Sequence, residues 1–104
     1  MYVRIMRDRG GRLKLTLEEP DDCSRFHLRA EGIGPTDAEE ALARDQIGSL
    51  AGDDAFISQD VLRKLAKGRT GPKWDERFEA MVGYARSKGW VSESGHLQAH
   101  CDWA

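Results

Sequence analysis

The residues best suited to metal chemistry are two histidines and an aspartate in segments that alternate like β-strands, His27, His100 and Asp102. Imidazole and carboxylate groups are common zinc ligands, and each must approach the ion to about 2 Å. The Cα atoms of His100 and Asp102 are about 7 Å apart in an extended strand, so their side chains can meet. His27 joins them if its strand is the neighbour. Polar side chains on a solvated sheet face occur more often, so a small hydrolase or metal enzyme at these residues is an alternative hypothesis, and no cofactor is expected.

Neither cysteine has the surroundings of a catalytic nucleophile. Cys101 falls on the apolar side of its strand pattern, where a thiol acts as a small hydrophobic residue. Cys23 follows Asp21 and Asp22, whose negative charge raises the pKa of a thiol instead of activating it. Two cysteines this far apart in sequence do not make a disulfide framework, which favours free thiols in a reducing cytoplasm. The sequence therefore indicates no catalytic set, and an enzyme is the less favoured hypothesis.

Basic side chains share one face of the predicted strands, because they alternate with apolar residues. The face comprises Arg4, Arg12, Lys14, Arg25, His27 and Arg29, together with His96 and His100 if the last strand joins the same sheet. Tyr2 and Met6 lie among the arginines, and Tyr, Met and Arg are enriched in protein interfaces. The sequence thus predicts a non-enzymatic interaction or accessory module, working with a protein partner or by self-association. Its predicted binding residues are Arg4, Lys14, Arg25, His27, Arg29 and His100.

Nucleic-acid binding is the alternative use of this face, because basic side chains on a sheet can follow a phosphate backbone. Sheet-based single-strand binders also need aromatic platforms, and only Tyr2 qualifies, since Phe26 is in phase with the core. A winged-helix-like C-terminal half is a second form of this hypothesis, with residues 72–88 as the recognition helix. That helix carries Asp75 and Glu76, which would repel a duplex. Nucleic acid is therefore the less favoured partner.

The strands that carry these residues are predicted from period-two alternation. The first two strands form a hairpin, and a three-residue loop that ends at Gly11 sets Leu15 opposite Ile5 and Leu17 opposite Val3. A third strand covers residues 25–30, and the last covers residues 97–103. The sequence does not determine which earlier strand pairs with this last strand.

Three helices are predicted between the third strand and the last. The first starts with a capping box at Thr36 and Glu39 and ends near residues 46–47, with Gly48 as its C-terminal glycine. Ser58 caps the second helix, and the third starts at Pro72. One apolar stripe of the third helix is predicted to cover the sheet: Trp74, Phe78, Met81, Val82 and Ala85.

The length and composition of the chain limit the classes of protein to which it can belong. The 104 residues fit one domain, here 1–104. Hydrophobic residues at 39% and a net charge of −2 exclude a disordered tail. No apolar run reaches the roughly 20 residues of a membrane span, and arginines interrupt the N-terminal segment, so a cytoplasmic location is expected. The predicted fold is a two-layer α+β domain, with an about four-stranded, mostly antiparallel sheet and three helices packed on one face.

Overall fold

The computed structural model describes residues 1–104 as an α+β structure. Three helices accompany a six-stranded mixed sheet that curls as a half-barrel. The strands are β1 (Tyr2–Arg7), β2 (Leu13–Glu18), β3 (His27–Ala30), β4 (Gly48–Ala51), β5 (Asp54–Ile57) and β6 (Leu97–Trp103). The helices are α1 (Pro35–Arg44), α2 (Gln59–Ala66) and α3 (Trp74–Ser87).

The sheet order is β2-β1-β3-β6-β5-β4, with β3 parallel to both of its neighbours and the other pairs antiparallel. The prediction of about four mostly antiparallel strands is therefore corrected to six strands in a mixed sheet. The parallel pairing of β1 and β3 arises because residues 19–26 carry the chain from the end of β2 around the start of β1. β3 then begins on the far side of β1 and runs in the same direction.

The first hairpin has the predicted register. Ile5 lies opposite Leu15 and Val3 opposite Leu17, and Gly11 adopts a φ of 78°. A three-residue loop that ends in the left-handed region fits the twist of the two strands. The alternation of apolar and polar residues, together with Gly11, therefore predicted this hairpin correctly.

Helix α1 begins and ends earlier than the sequence predicted. Pro35 takes its first position and Gly34 is the N-cap, with no side-chain cap bond, because the fixed φ of proline suits the first helical residue. Thr36 is therefore inside the helix and does not cap it. After Arg44 the chain turns at Gln46, whose φ is 56°. Gly48 is consequently the first residue of β4 and not a helix terminator.

The other two helices agree more closely with the prediction. The Ser58 hydroxyl accepts a hydrogen bond from the Val61 amide at 3.3 Å and caps α2. Helix α3 starts at Trp74 instead of Pro72, because Lys73 adopts a φ of 61° that no α-helix continues through.

The hairpin of β4 and β5 was not predicted. Gly52, with a φ of 64°, makes its turn, and Gly48 lies opposite Ile57. A Cβ atom on Gly48 would stand 2.0 Å from the carbonyl oxygen of Phe56. Close approach of the two strands therefore requires glycine here, whereas the sequence pattern suggested a helix-ending role.

The inward residues of the sheet and the buried sides of all three helices form one continuous apolar cluster. Leu28 and Ala30 of β3 are fully buried while Arg29 between them is partly exposed, which confirms the inward and outward phasing of this strand. Phe78 of α3 is also fully buried. None of the three helices has the length and apolar character that crossing a membrane requires.

Candidate functional site

Five of the predicted binding residues lie together on the outer face of the sheet. Arg4 is opposite Arg29, and His27 is opposite His100, on the adjacent strands β1, β3 and β6. Lys14 projects from β2 and is exposed. Arg25 precedes β3, and its side chain is 72% exposed beside Asp22. The structure therefore brings together all of the predicted residues except Arg25.

An aromatic and imidazole row crosses this face. The rings of Tyr2 and His27 stack with centroids 4.9 Å apart. His100 Nδ1 lies 3.5 Å from a carboxylate oxygen of Asp54 on β5. Burial lowers the pKa of His27, and the nearby main-chain ammonium group adds to that effect. The His27 imidazole is consequently neutral at pH 7 and can act as donor and acceptor.

A second row is a network of ion pairs. Glu31 accepts hydrogen bonds from Nε of Arg4 and Nε of Arg29, each at 2.8 Å. Arg29 also lies 3.5 Å from Asp102, and Arg4 lies 3.7 Å from Glu18. Hydrogen bonds from the two guanidinium groups hold the pKa of Glu31 below its ordinary value. The arginines of the outer face are thus already paired within the chain.

The outer face is mixed in charge. The outer face carries three basic side chains, those of Arg4, Lys14 and Arg29, and four carboxylates. These are Glu18, Glu31, Asp54 and Asp102. Asp54 lies on β5, which the sequence pattern did not predict. Glu18 is the last residue of β2, and Glu31 directly follows β3. Such a face does not present the uniform positive field that attracts a phosphate backbone.

The proposed metal constellation is not assembled. His27 and His100 are cross-strand neighbours, but Asp102 faces Arg29 and His100 faces Asp54. No group of three His, Cys, Asp or Glu side chains is arranged to hold a metal ion. The strand order that the hypothesis needed is present, but its one carboxylate, Asp102, forms an ion pair with Arg29.

A second candidate site is a groove between α3 and the segment that precedes β3. Its volume is about 710 Å³, within the range of ligand pockets. Apolar side chains predominate in its lining, including Phe26, Met81, Tyr84 and Trp90. Tyr84 is 60% exposed and Trp90 is 43% exposed. Their rings meet edge to face, with centroids 6.1 Å apart.

Hydrogen bonds fix the walls of this aromatic groove. The main-chain nitrogen of Met1 donates to the carbonyl oxygens of Asp22 at 2.8 Å and Arg25 at 3.2 Å. Trp90 donates its amide to Ala85 and accepts at its carbonyl from Gln98. Both sides of the groove are therefore held by the backbone before any ligand arrives, which reduces the ordering cost of binding.

The thiol of Cys23 lines the same groove without the properties of a nucleophile. Burial raises the pKa of Cys23, despite the nearby Arg77 guanidinium. The pKa of Cys101 is raised to about 11 by burial in the core. Because the thiolate is the reactive form, a raised pKa keeps both thiols protonated at neutral pH. At Cys23 the main cause is burial, and the negative charge of Asp21, which the sequence argument relied on, contributes less.

Sequence reasoning missed the aromatic groove, although one signal was present. Tyr84 falls outside the apolar stripe of α3, so the pattern places a large aromatic side chain on the exposed side of that helix. An aromatic residue out of phase with its own core stripe indicates a surface contact. Trp90 follows only six residues later in the sequence.

No family model, curated protein or solved structure matches the chain, so functional inference depends on the geometry of its own residues.

Proposed function

We propose that the chain is a non-enzymatic module that binds another protein, and that the aromatic groove receives an apolar segment of that partner. The exposed pair of Tyr84 and Trp90 carries this proposal. Tyrosine and tryptophan supply much of the binding energy of protein interfaces, because a rigid ring buries a large area at low entropic cost.

The charges around the groove indicate which apolar segment would fit. Arg25 is 72% exposed, and its nearest carboxylate, on Asp22, is 3.9 Å away. The Lys88 ammonium lies 5.6 Å from the Tyr84 ring centroid and makes no ion pair with a carboxylate in the chain. Both cations can therefore meet acidic residues of a partner. A segment with an aromatic or aliphatic anchor and flanking acidic residues matches this surface.

The outer face of the sheet supports a protein partner better than a nucleic acid. Its arginines are paired with Glu31, Asp102 and Glu18, so a phosphate backbone would have to displace existing carboxylates. Binding through that face, self-association and a cytoplasmic location remain predictions. The aromatic groove is the surface to test first, because it combines a preformed cavity with exposed rings.

A random peptide library displayed on phage, selected against the intact chain, tests the proposal. We expect selected peptides to carry an aromatic or aliphatic residue near acidic residues. Trp90→Ala should weaken their binding at least about 30-fold, the effect of losing an interface hot spot. Trp103→Ala is the matched control, since Trp103 is 38% exposed but does not line the groove.

Two results would contradict the proposal. One is an equal loss of affinity in the Trp90 and Trp103 variants. The other is a selection that yields no peptide tighter than about 1 mM. Amide shifts in NMR spectra that cluster at Arg29 and His100, with no change at Tyr84, would instead assign binding to the outer face.

A further inference from the structure

The strand β2 forms one edge of the sheet, and its outward backbone groups are open. The Asp8 amide donates to the Arg12 carbonyl at 2.8 Å, which sets the alternation of the ladder with β1. In an antiparallel pair only every second residue bonds the neighbouring strand. The N–H and C=O groups of Lys14 and Thr16 therefore point toward β1, and those of Leu15 and Leu17 point away from it.

Only the first outward carbonyl of this edge has a partner. Arg44 donates a side-chain hydrogen bond to the Leu13 carbonyl at 3.0 Å. No hydrogen bond outside the β1–β2 ladder involves the backbone of Leu15 or Leu17. An extended chain lying beside β2 would find donors and acceptors in strand register.

A cavity of about 450 Å³ runs beside the same edge, between β2, the end of α1 and the helix α2. Its apolar lining consists of Leu13, Leu15, Ile47, Val61 and Leu65. Leu15, Val61 and Leu65 are only partly buried although they pack on the core. The cavity can therefore take apolar side chains from one face of an added strand, since side chains alternate between faces.

The charges at this edge are mostly positive. Lys14, Arg44 and Lys64 line the cavity, with Asp45 as the one acidic residue. Asp45 lies 4.0 Å from Arg44, and neither lysine forms an ion pair within the chain. The edge is thus complementary to acidic residues, although the whole chain has a net charge of −2.

We propose that β2 accepts an extended segment of a partner protein as a seventh strand of the sheet. The segment alternates apolar residues, which enter the cavity beside α2, with acidic residues on the outer face, which lie beside Lys14. This site is separate from the aromatic groove and goes beyond the function proposed for it. The opposite edge strand, β4, is uncharged (Gly48–Ala51) and cannot select for acidic residues.

The probe is a capped heptapeptide of alternating glutamate and valine, titrated at low salt and followed by NMR and calorimetry. Binding should slow hydrogen exchange at the Leu15 and Leu17 amides. N-methylation of the peptide at the residues that face β2 removes main-chain hydrogen bonds. It should weaken binding about tenfold or more. A peptide with lysine in place of glutamate should not bind measurably.

Variants of the chain separate this edge from other surfaces. Lys14→Glu should weaken the glutamate–valine peptide about tenfold at low salt, whereas Arg69→Glu, a charge reversal outside the cavity, should leave its affinity unchanged. Trp90→Ala should have no effect, so failure here is distinguishable from failure of the aromatic groove. Equal binding of the N-methylated peptide, protection at Gly48 and Leu50 instead of Leu15, or no binding at about 1 mM would overturn the proposal.

Discussion

Replacing Gly48 by alanine tests the hairpin of β4 and β5, the part of the fold that the sequence did not predict. The added Cβ would lie 2.0 Å from the Phe56 carbonyl oxygen, 3.0 Å from the Phe56 carbonyl carbon and 3.2 Å from the Ile57 Cα atom. All three atoms belong to the backbone, so no side-chain rotation relieves the contact.

The expected cost follows from that geometry. An ordinary contact of a Cβ atom begins near 3.4 Å, and the two strands would have to separate by more than an ångström at this point. Overpacking of a folded structure typically costs about 1–3 kcal/mol. We expect Gly48→Ala to reach at least the upper part of this range, because separation also strains the ladder with β5. A domain of this size has a free energy of unfolding of about 5–15 kcal/mol, so the loss is readily measured.

Urea denaturation followed by circular dichroism gives the measurement, with linear extrapolation of the free energy of unfolding. Gly83→Ala is the matched control, since Gly83 lies within α3 with no atom within 4 Å of an added Cβ. Alanine there should stabilise the chain by about 0.5–1 kcal/mol through helix propensity. If Gly48→Ala changes stability by less than about 0.5 kcal/mol, as an ordinary surface substitution does, the register of β4 against β5 is refuted.

Three further predictions concern the cap of α2, one carboxylate and the thiols. Ser58→Ala should lower the free energy of unfolding by about 1 kcal/mol in the same urea assay, and an unchanged midpoint would contradict the cap. Because the pKa of Glu31 is lowered in the folded chain, its contribution to stability is present above the ordinary value of 4.5 and is lost as the pH falls through the folded pKa. Glu31→Gln should therefore flatten the stability profile below that pH, whereas an unaltered profile would argue against the pairing with the arginines. A thiol reagent at neutral pH should modify Cys23 slowly and leave Cys101 intact until unfolding, as peptide mass mapping would show; rapid labelling of Cys101 would contradict its burial.

The elements that local chemistry determines were predictable from the sequence. Alternation and Gly11 specify the first hairpin, including the opposition of Ile5 and Leu15. The Ser58 hydroxyl specifies the start of α2. One short turn joins the two strands of the hairpin, and the Ser58 hydroxyl bonds an amide only one helical turn away, so the local pattern contains the whole interaction.

The remaining parts depend on contacts that no local pattern contains. The strands β4 and β5 have four residues each, too few for alternation to be distinctive. Gly48 is compatible with both a helix end and a tight strand pair, and only the position of Phe56 decides between them. The mixed charge of the outer face likewise depends on strand order, because Glu31 neutralises arginines from two different strands.

The pairing of β3 with β6 joins two parts of the sheet that are far apart in sequence. Arg29 and its partner Asp102 are 73 positions apart, and closing a loop of that length carries an entropic cost that grows with its logarithm. Folding slows when contacts are this remote in sequence. During synthesis, a nascent chain that holds only β1, β2 and β3 displays β3 with one bare side, which can pair with other chains. Shielding by a chaperone until the last strand emerges from the ribosome should therefore raise the yield of folded protein.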